Sequence, residues 1–243
     1  MAIIRYKNVD IHIDSKIILE NVTFTLEEGE FAYILGAVGS GKSTLLRLML
    51  GYDNPQSGRY TIDGIPITDV LKTLRYNSSI MFQKFWKYNM SIKQNIVLSD
   101  SSIDDISYYN EIKRKTNVCD IVDKLKNTDD TEVIHGGLLS GGQWQKVALA
   151  RTYYRDRQIV FMDEPNSAID ALYELRIYQD FLEFFKGKTV VVVSHRLPIC
   201  QLADRIIVMD KGMIVEDGNH HELMEKKGVY FNMFKKQADI YMD

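Results

Sequence analysis

Little in this 243-residue chain is built for covalent cross-linking or for crossing a membrane. It has 2 cysteines, Cys119 and Cys200, far apart and in no metal-ligand spacing. That excludes a disulfide framework and reads as two reduced thiols. No stretch approaches the roughly 20 apolar residues needed to span a bilayer. Residues 1–6 lack the apolar core and small-residue cleavage site of a secretory leader. Prolines number only 4, and no repeat, low-complexity tract or long linker interrupts the chain. Charge of one sign is also scarce: 30 Lys and Arg face 33 Asp and Glu, a formal net charge of -3. No global field therefore draws the chain to nucleic acid, and no nucleic-acid partner is expected.

What is present is an alternation of strand and helix signals. Val22, Phe24 and Leu26 alternate with polar residues before a Glu28-Gly29 turn. Residues 31–35 form a continuous apolar run, suited to a buried parallel strand. Tyr60 and Ile62 lead into Asp63-Gly64, a hairpin signal. Leu45, Leu48 and Met49 share one helical face. Residues 84–138 are richer in Asn, Asp, Ser and Lys, which predicts a mostly helical insertion. The core resumes with a helix through Val147, Leu149 and Ala150, then strands at 159–162 and 190–193. A late hairpin pairs 206–209 with 213–215 across Asp210-Lys211-Gly212. The fold class expected from this alternation is α/β: a largely parallel sheet with helices on both faces and an inserted, mostly helical subdomain.

Three segments carry chemistry. Gly36-Ala37-Val38-Gly39-Ser40-Gly41-Lys42-Ser43 has the form G-x-x-x-x-G-K-S, follows an apolar strand and opens an amphipathic helix. Glycines at 36, 39 and 41 let the backbone curl so that N–H groups converge on a polyanion. The helix behind adds its N-terminal partial positive charge. Gly36, Gly39, Ser40, Gly41, Lys42, Ser43 and Thr44 are thus the candidate cradle for ATP, with Lys42 on the terminal phosphates and Ser43 on Mg2+. Second, residues 159–162 deliver Asp163 and Glu164 to a strand end, with Asp163 as the metal holder and Glu164 as the base that polarises water. Third, Leu139-Ser140-Gly141-Gly142-Gln143 opens another helix with a capping-box pattern, a second cluster of exposed N–H groups.

The order of these three segments resembles the ABC ATPase family, and the resemblance covers nearly the whole chain. It implies an α/β fold, a P-loop (RecA-like) core with an N-terminal antiparallel β subdomain and an inserted α-helical subdomain, as one ABC ATPase domain over 1–243, with 1–83 and 141–243 as β subdomain plus P-loop core and 84–140 as helical signature subdomain. It also implies a head-to-tail dimer, as a homodimer or an ABC–ABC heterodimer, with two ATPs sandwiched between protomers. Ser140 and Gly142 would then meet the γ-phosphate in trans. Gln83, ending Ile80-Met81-Phe82-Gln83, matches the glutamine that senses Mg2+ and links to the membrane partner. Asp170 matches the aspartate that communicates between protomers, and His195 the switch histidine on the γ-phosphate. The resemblance further implies a transmembrane transporter domain, fused or separate, and a peripheral place on the cytoplasmic face of a membrane. Phe85, Trp86 and Tyr88 lie where the family docks that partner, although core packing explains such aromatics equally well.

Tyr88-Asn89-Met90-Ser91-Ile92-Lys93-Gln94-Asn95-Ile96, Trp144-Gln145 and Gly228-Val229-Tyr230 are similar to the exporter branch, peptide and bacteriocin exporters especially. Residues 29–36 are also similar to the cell-division member of the family, which leaves a regulatory, non-transporting ABC ATPase as a rival reading. A soluble ABC ATPase acting on DNA or ribosomes is a further rival, disfavoured by the single cassette and the net charge of -3. The chain departs from the exporter pattern at Ile13, where an aromatic would stack on adenine and Ile13 gives apolar contact only. Residues 131–137 lack the Gly-Glu step usual before the signature, and Asn166 replaces a Thr.

Overall fold

The computed structural model describes residues 2–13, 16–133, 137–165, 183–197 and 199–240. The chain divides into two compact units, residues 1–78 with 187–243 and residues 79–186. In chain order come β1 (Ala2–Ile13), β2 (Lys16–Glu27), β3 (Phe31–Gly36), α1 (Lys42–Met49), β4 (Ser57–Ile62), β5 (Ile65–Pro66) and α2 (Ile67–Tyr76). The second unit holds β6 (Ser78–Met81), β7 (Met90–Ser91), α3 (Ile92–Val97), α4 (Ile106–Lys115), α5 (Cys119–Val122), β8 (Glu132–Val133), α6 (Gly141–Arg155) and β9 (Ile159–Asp163). The chain returns to the first unit with β10 (Thr189–Ser194), β11 (Arg205–Asp210), β12 (Met213–Gly218), α7 (His220–Lys226) and α8 (Val229–Ile240). Among the described residues no helix is long and apolar enough to cross a membrane. Both cysteines are free thiols.

In the first unit one sheet is antiparallel, in the order β2–β1–β4–β5. Its inward residues alternate as the sequence predicts, with Leu19, Val22, Phe24 and Leu26 of β2 buried. Tyr6 stacks on Phe24 at 4.8 Å and on Tyr60 at 4.3 Å. The Tyr60 hydroxyl donates to Met49 O at 2.5 Å, so the sheet grips the end of α1. The Asp63-Gly64 turn joins β4 to β5, as the sequence predicts. The other sheet of this unit runs β12–β11–β3–β10. There β3 lies parallel to both β10 and β11, and β12 turns back antiparallel. All six residues of β3 and of β10 are buried, the reason both read as unbroken apolar runs. The fold is therefore mixed α/β with an antiparallel sheet and a sheet containing parallel strands.

The corner from β3 into α1 is fixed from three sides. Ser40 N–H donates to Ala37 O at 3.2 Å, and Gly212 N–H donates to Ser40 O at 3.0 Å. Glu20 N–H donates in turn to Gly212 O at 3.0 Å, so the β11–β12 turn ties the corner to β2. Gly41, at the N-cap of α1, has φ 98°; a Cβ there would lie 2.9 Å from Leu19 Cδ2 and 3.0 Å from Ile18 O. Only glycine meets both the conformation and the space. At the far end, Arg75 Nη2 donates to Gly51 O at 2.9 Å while its guanidinium lies 4.7 Å from the Tyr52 ring.

The C-terminal helices are anchored by a capping box and by polar contacts around a buried tyrosine. Asn219 Oδ1 accepts from Glu222 N–H at 3.0 Å, and Glu222 Oε2 accepts from Asn219 N–H at 3.0 Å, a capping box for α7. Tyr230 is fully buried; its hydroxyl lies 2.6 Å from His220 Nδ1 and 3.2 Å from Cys200 Sγ. Burial first, and then neighbouring His221, hold His220 below the usual histidine value.

Two outcomes follow from these contacts. Gly41→Ala should destabilise the chain by roughly 2 kcal/mol or more in a denaturant titration. Gly39→Ala, where an added Cβ meets nothing within 4 Å, should cost only about 1 kcal/mol. Because His220 binds its proton less readily folded than unfolded, its contribution is intact above about pH 6.5 and is lost as the pH falls through the lower folded value. The melting temperature should therefore drop more between about pH 7.5 and 5 in the unsubstituted chain than in His220→Gln, and parallel curves would refute the assignment.

Candidate functional site

The cradle in the first unit is assembled from backbone. Gly36 closes β3, where an added Cβ would collide with Met209 O at 2.4 Å and Ser40 Oγ at 2.5 Å. Lys42 is 7% exposed, and its ammonium donates to Gly36 O at 2.8 Å and Ala37 O at 2.9 Å. The side chain thus curls back over the loop it follows. Ser43 is exposed and Thr44 half-buried at the start of α1. The Ser40 hydroxyl is buried without a hydrogen-bond partner. Beside the loop is a hollow of about 240 Å³ lined by Ile18 and by residues 39–44. An inward-facing lysine, an unsatisfied hydroxyl and the N–H groups of a helix start fit a phosphate chain.

The same unit brings His195 to the level of this loop. The β3–β10 register sets Ser194 opposite Leu35, so exposed His195 follows at the height of Gly36. Tyr33 OH donates to Arg196 O at 2.6 Å, and Arg196 N–H donates to Ser194 Oγ at 3.2 Å. These bonds fix the backbone on the far side of the histidine.

In the second unit β9 ends on Asp163 and neighbours β6, after which the chain reaches exposed Gln83. Asp163 and Glu164 are both buried, 8% and 9% exposed. Glu164 has φ 49°, in the left-handed region, a conformation that costs a non-glycine residue of order 1 kcal/mol. The fully buried side chain of Gln145, on α6, holds that kink by donating to Pro165 O and, at 3.4 Å, to Glu164 O. The start of α6 carries the expected capping box: Ser140 Oγ accepts from Gln143 N–H at 3.3 Å, and Gln143 Oε1 accepts from Ser140 N–H at 2.8 Å. Ser140 and Gly141 are exposed and Gly142 half-buried, so the first turn of α6 is open to solvent.

A third assembly in this unit escapes sequence reasoning. Asn95, wholly buried on α3, donates from Nδ2 to Tyr88 O at 3.1 Å, Met90 O at 3.2 Å and Ser91 O at 3.0 Å. Its Oδ1 accepts from Tyr88 N–H at 3.3 Å and from Arg151 Nη2. Arg151 Nε donates to Asn95 O at 2.7 Å and Nη1 to Trp86 O at 2.6 Å, and the guanidinium lies 5.1 Å from the Tyr88 ring. Burial lowers the Arg151 pKa to about 10, against a smaller opposing effect of Tyr88. The segment so held presents Trp86, 77% exposed, and Tyr88, 38% exposed, with Phe85 half-buried. Solvent exposure of Trp86 rules out core packing as its role.

Gln145, Asn95, Arg151 and Ile18 are the residues sequence reasoning missed. The exporter-like Ser91-Ile92-Lys93-Gln94-Asn95-Ile96 run was a signal for Asn95, and the Trp144-Gln145 pair for Gln145. Among the described residues, Ile18 joins the phosphate loop in lining the hollow beside it. The side chain of Ile13 and the segment with Asn166 and Asp170 lie outside the described residues, as do residues 134–136.

The family model described as "ABC transporter" matches residues 19–167. The subtilin transport ATP-binding protein of Bacillus subtilis is 38% identical over 236 residues, covering 93% of this chain and 37% of that protein. An ATP-dependent lipid A-core flippase of Saccharophagus degradans is 37% identical over 221 residues, covering 90% of this chain and 38% of that protein. The chain thus spans less than two-fifths of the length of these curated relatives. A solved bacterial Atm1-family ABC exporter with ATP bound superimposes with a TM-score of 0.90 at 30% identity, over 98% of this chain and 42% of that one. The chain belongs to the ABC transporter family, and the solved structure it matches is an exporter of that family.

Proposed function

We propose that the chain binds and hydrolyses ATP with Mg2+, pairs with a second ATPase domain, alike or different, and drives a transmembrane transporter domain, fused or separate, from the cytoplasmic face of a membrane. The observation that carries this is the phosphate-loop corner, with Lys42 buried over its own loop and an unsatisfied Ser40 hydroxyl beside it. The solved exporter with ATP bound supports the nucleotide. The subtilin transport and lipid A-core flippase relatives support a transport role, and the solved exporter supports export as the direction.

In this reading Gly36, Gly39, Ser40, Gly41, Lys42, Ser43 and Thr44 bind the triphosphate through backbone N–H groups and the Lys42 ammonium. Ser43, Asp163 and Gln83 hold Mg2+, which supplies positive charge against the triphosphate oxygens. Glu164 accepts the proton of the attacking water, its carboxylate aimed by a backbone kink that Gln145 holds. His195 steadies the terminal phosphate. Ser140 and Gly142 donate to the nucleotide of the partner protomer, and Asp170 signals between protomers. Ile13 and Ile18 give the base apolar contact without stacking. Residues 84–140 form the helical signature subdomain within the 1–243 ATPase domain. Trp86 and Tyr88, exposed beside Gln83, are the strip that meets the membrane partner.

Glu164→Gln tests the chemistry and the pairing together. It should leave ATP binding intact, lower turnover by roughly a hundredfold or more, and give an ATP-dependent dimer on gel filtration. A monomeric variant with full turnover would refute the role of Glu164.

A further inference from the structure

The Arg151 cluster has a mechanical consequence. Arg151 sits on the helix that begins at Ser140, and ten residues of α-helix span roughly 15 Å. Its guanidinium is bonded to the backbone of Trp86 and to both the backbone and side chain of Asn95. Asn95 in turn bonds to the backbone of Tyr88, Met90 and Ser91. A second contact places the Lys87 ammonium 5.9 Å from the ring of Trp144, also on α6. Every residue from Trp86 to Tyr88 is therefore tied to α6 directly or through Asn95, although the Trp86 ring itself stands in solvent. One turn on, Arg155 Nη1 donates to Ser99 O at 3.1 Å, so the same ridge of α6 also grips the chain beyond α3.

We propose that Arg151 is a positioning residue that makes the exposed Trp86–Tyr88 strip and the Ser140–Gly142 helix start one rigid body. Whatever engages the first turn of α6 then displaces the strip without a flexible step between. A guanidinium suits this task because its planar fork binds three acceptors in fixed directions, as an ammonium does not. The inference rests on the function proposed above only for the identity of what engages each end: nucleotide at Ser140 and a membrane partner at Trp86.

The test is limited trypsin digestion of the full chain, following the initial rates of cleavage after exposed Lys84 and Lys87 by mass spectrometry. Without nucleotide, Arg151→Met should raise both rates about tenfold, because cleavage tracks the opened population and a lost charged hydrogen bond is worth a factor of that size. Arg151→Lys, which keeps the charge and secures the fold, should give a smaller rise. In a Glu164→Gln background, ATP with Mg2+ should slow both cleavages when Arg151 is present and leave them unchanged in Arg151→Met, with equal nucleotide bound by filter assay. A merely structural arginine would alter stability without abolishing that response. Equal slowing by ATP in both chains, or equal nucleotide-free rates, would overturn the proposal. Absence of ATP binding in the Arg151-containing chain would sink the proposed function instead, while the nucleotide-free rates would still decide whether Arg151 clamps the strip.

Discussion

A lysine ammonium taken almost out of water is the constraint on which the phosphate-loop corner depends. An unpaired buried charge costs several kcal/mol. Lys42 meets that cost by turning its chain back onto the carbonyls of Gly36 and Ala37. The turn works only if the backbone between β3 and α1 is tight enough to bring those carbonyls within reach. Tightness in turn requires Gly41 in a left-handed conformation against Ile18 and Leu19, and Gly212 bonded to Ser40 O. A cation at a helix N-terminus also opposes the helix dipole. The same bonds that hold the Lys42 ammonium therefore also hold the curl of the loop around it.

The second unit uses one helix for three tasks. At its first turn, which is open to solvent, the reciprocal bonds of Ser140 and Gln143 fix where α6 starts. Just beyond that turn, Gln145 holds the carbonyls after Glu164, which offsets the strain of a positive φ at that residue. Near its end, Arg151 grips the chain after Gln83. The second and third tasks use polar side chains beside apolar ones, with Trp144, Val147, Ala148 and Leu149 buried around them. Buried polar groups are tolerable only when satisfied, and here each satisfied bond also aims a candidate functional segment.

The fold was largely legible because its signals are local. The apolar runs of β3 and β10, the alternation in β2, the Asp63-Gly64 turn and the Ser140 capping box each depend on neighbours within a few residues. The motif residues were legible for the same reason: a phosphate loop needs its glycines and lysine at fixed spacing. Ile18 was not, because the hollow is closed by a residue of β2 that meets Gly41 only after the sheet forms. Distance along the chain, rather than weakness of the contact, hid it.

Arg151 and Asn95 show why such pairs stay hidden even when each half stands in a readable pattern. They are separated by 56 positions, yet three of the arginine's nitrogens face the backbone or side chain of Asn95 and the carbonyl of Trp86. On the periodicity of α6 an arginine reads as a solvated break in an apolar face, and on α3 an asparagine reads as a weak helix former. Neither reading is wrong about propensity. Both residues serve another segment because the chain between Gln83 and Ser91 has hardly any regular structure of its own to satisfy its backbone. A loop without a ladder must borrow its hydrogen bonds from side chains elsewhere. The lenders named by the structure are Asn95 and Arg151, so the position of an exposed tryptophan is set by two residues that no spacing rule connects to it.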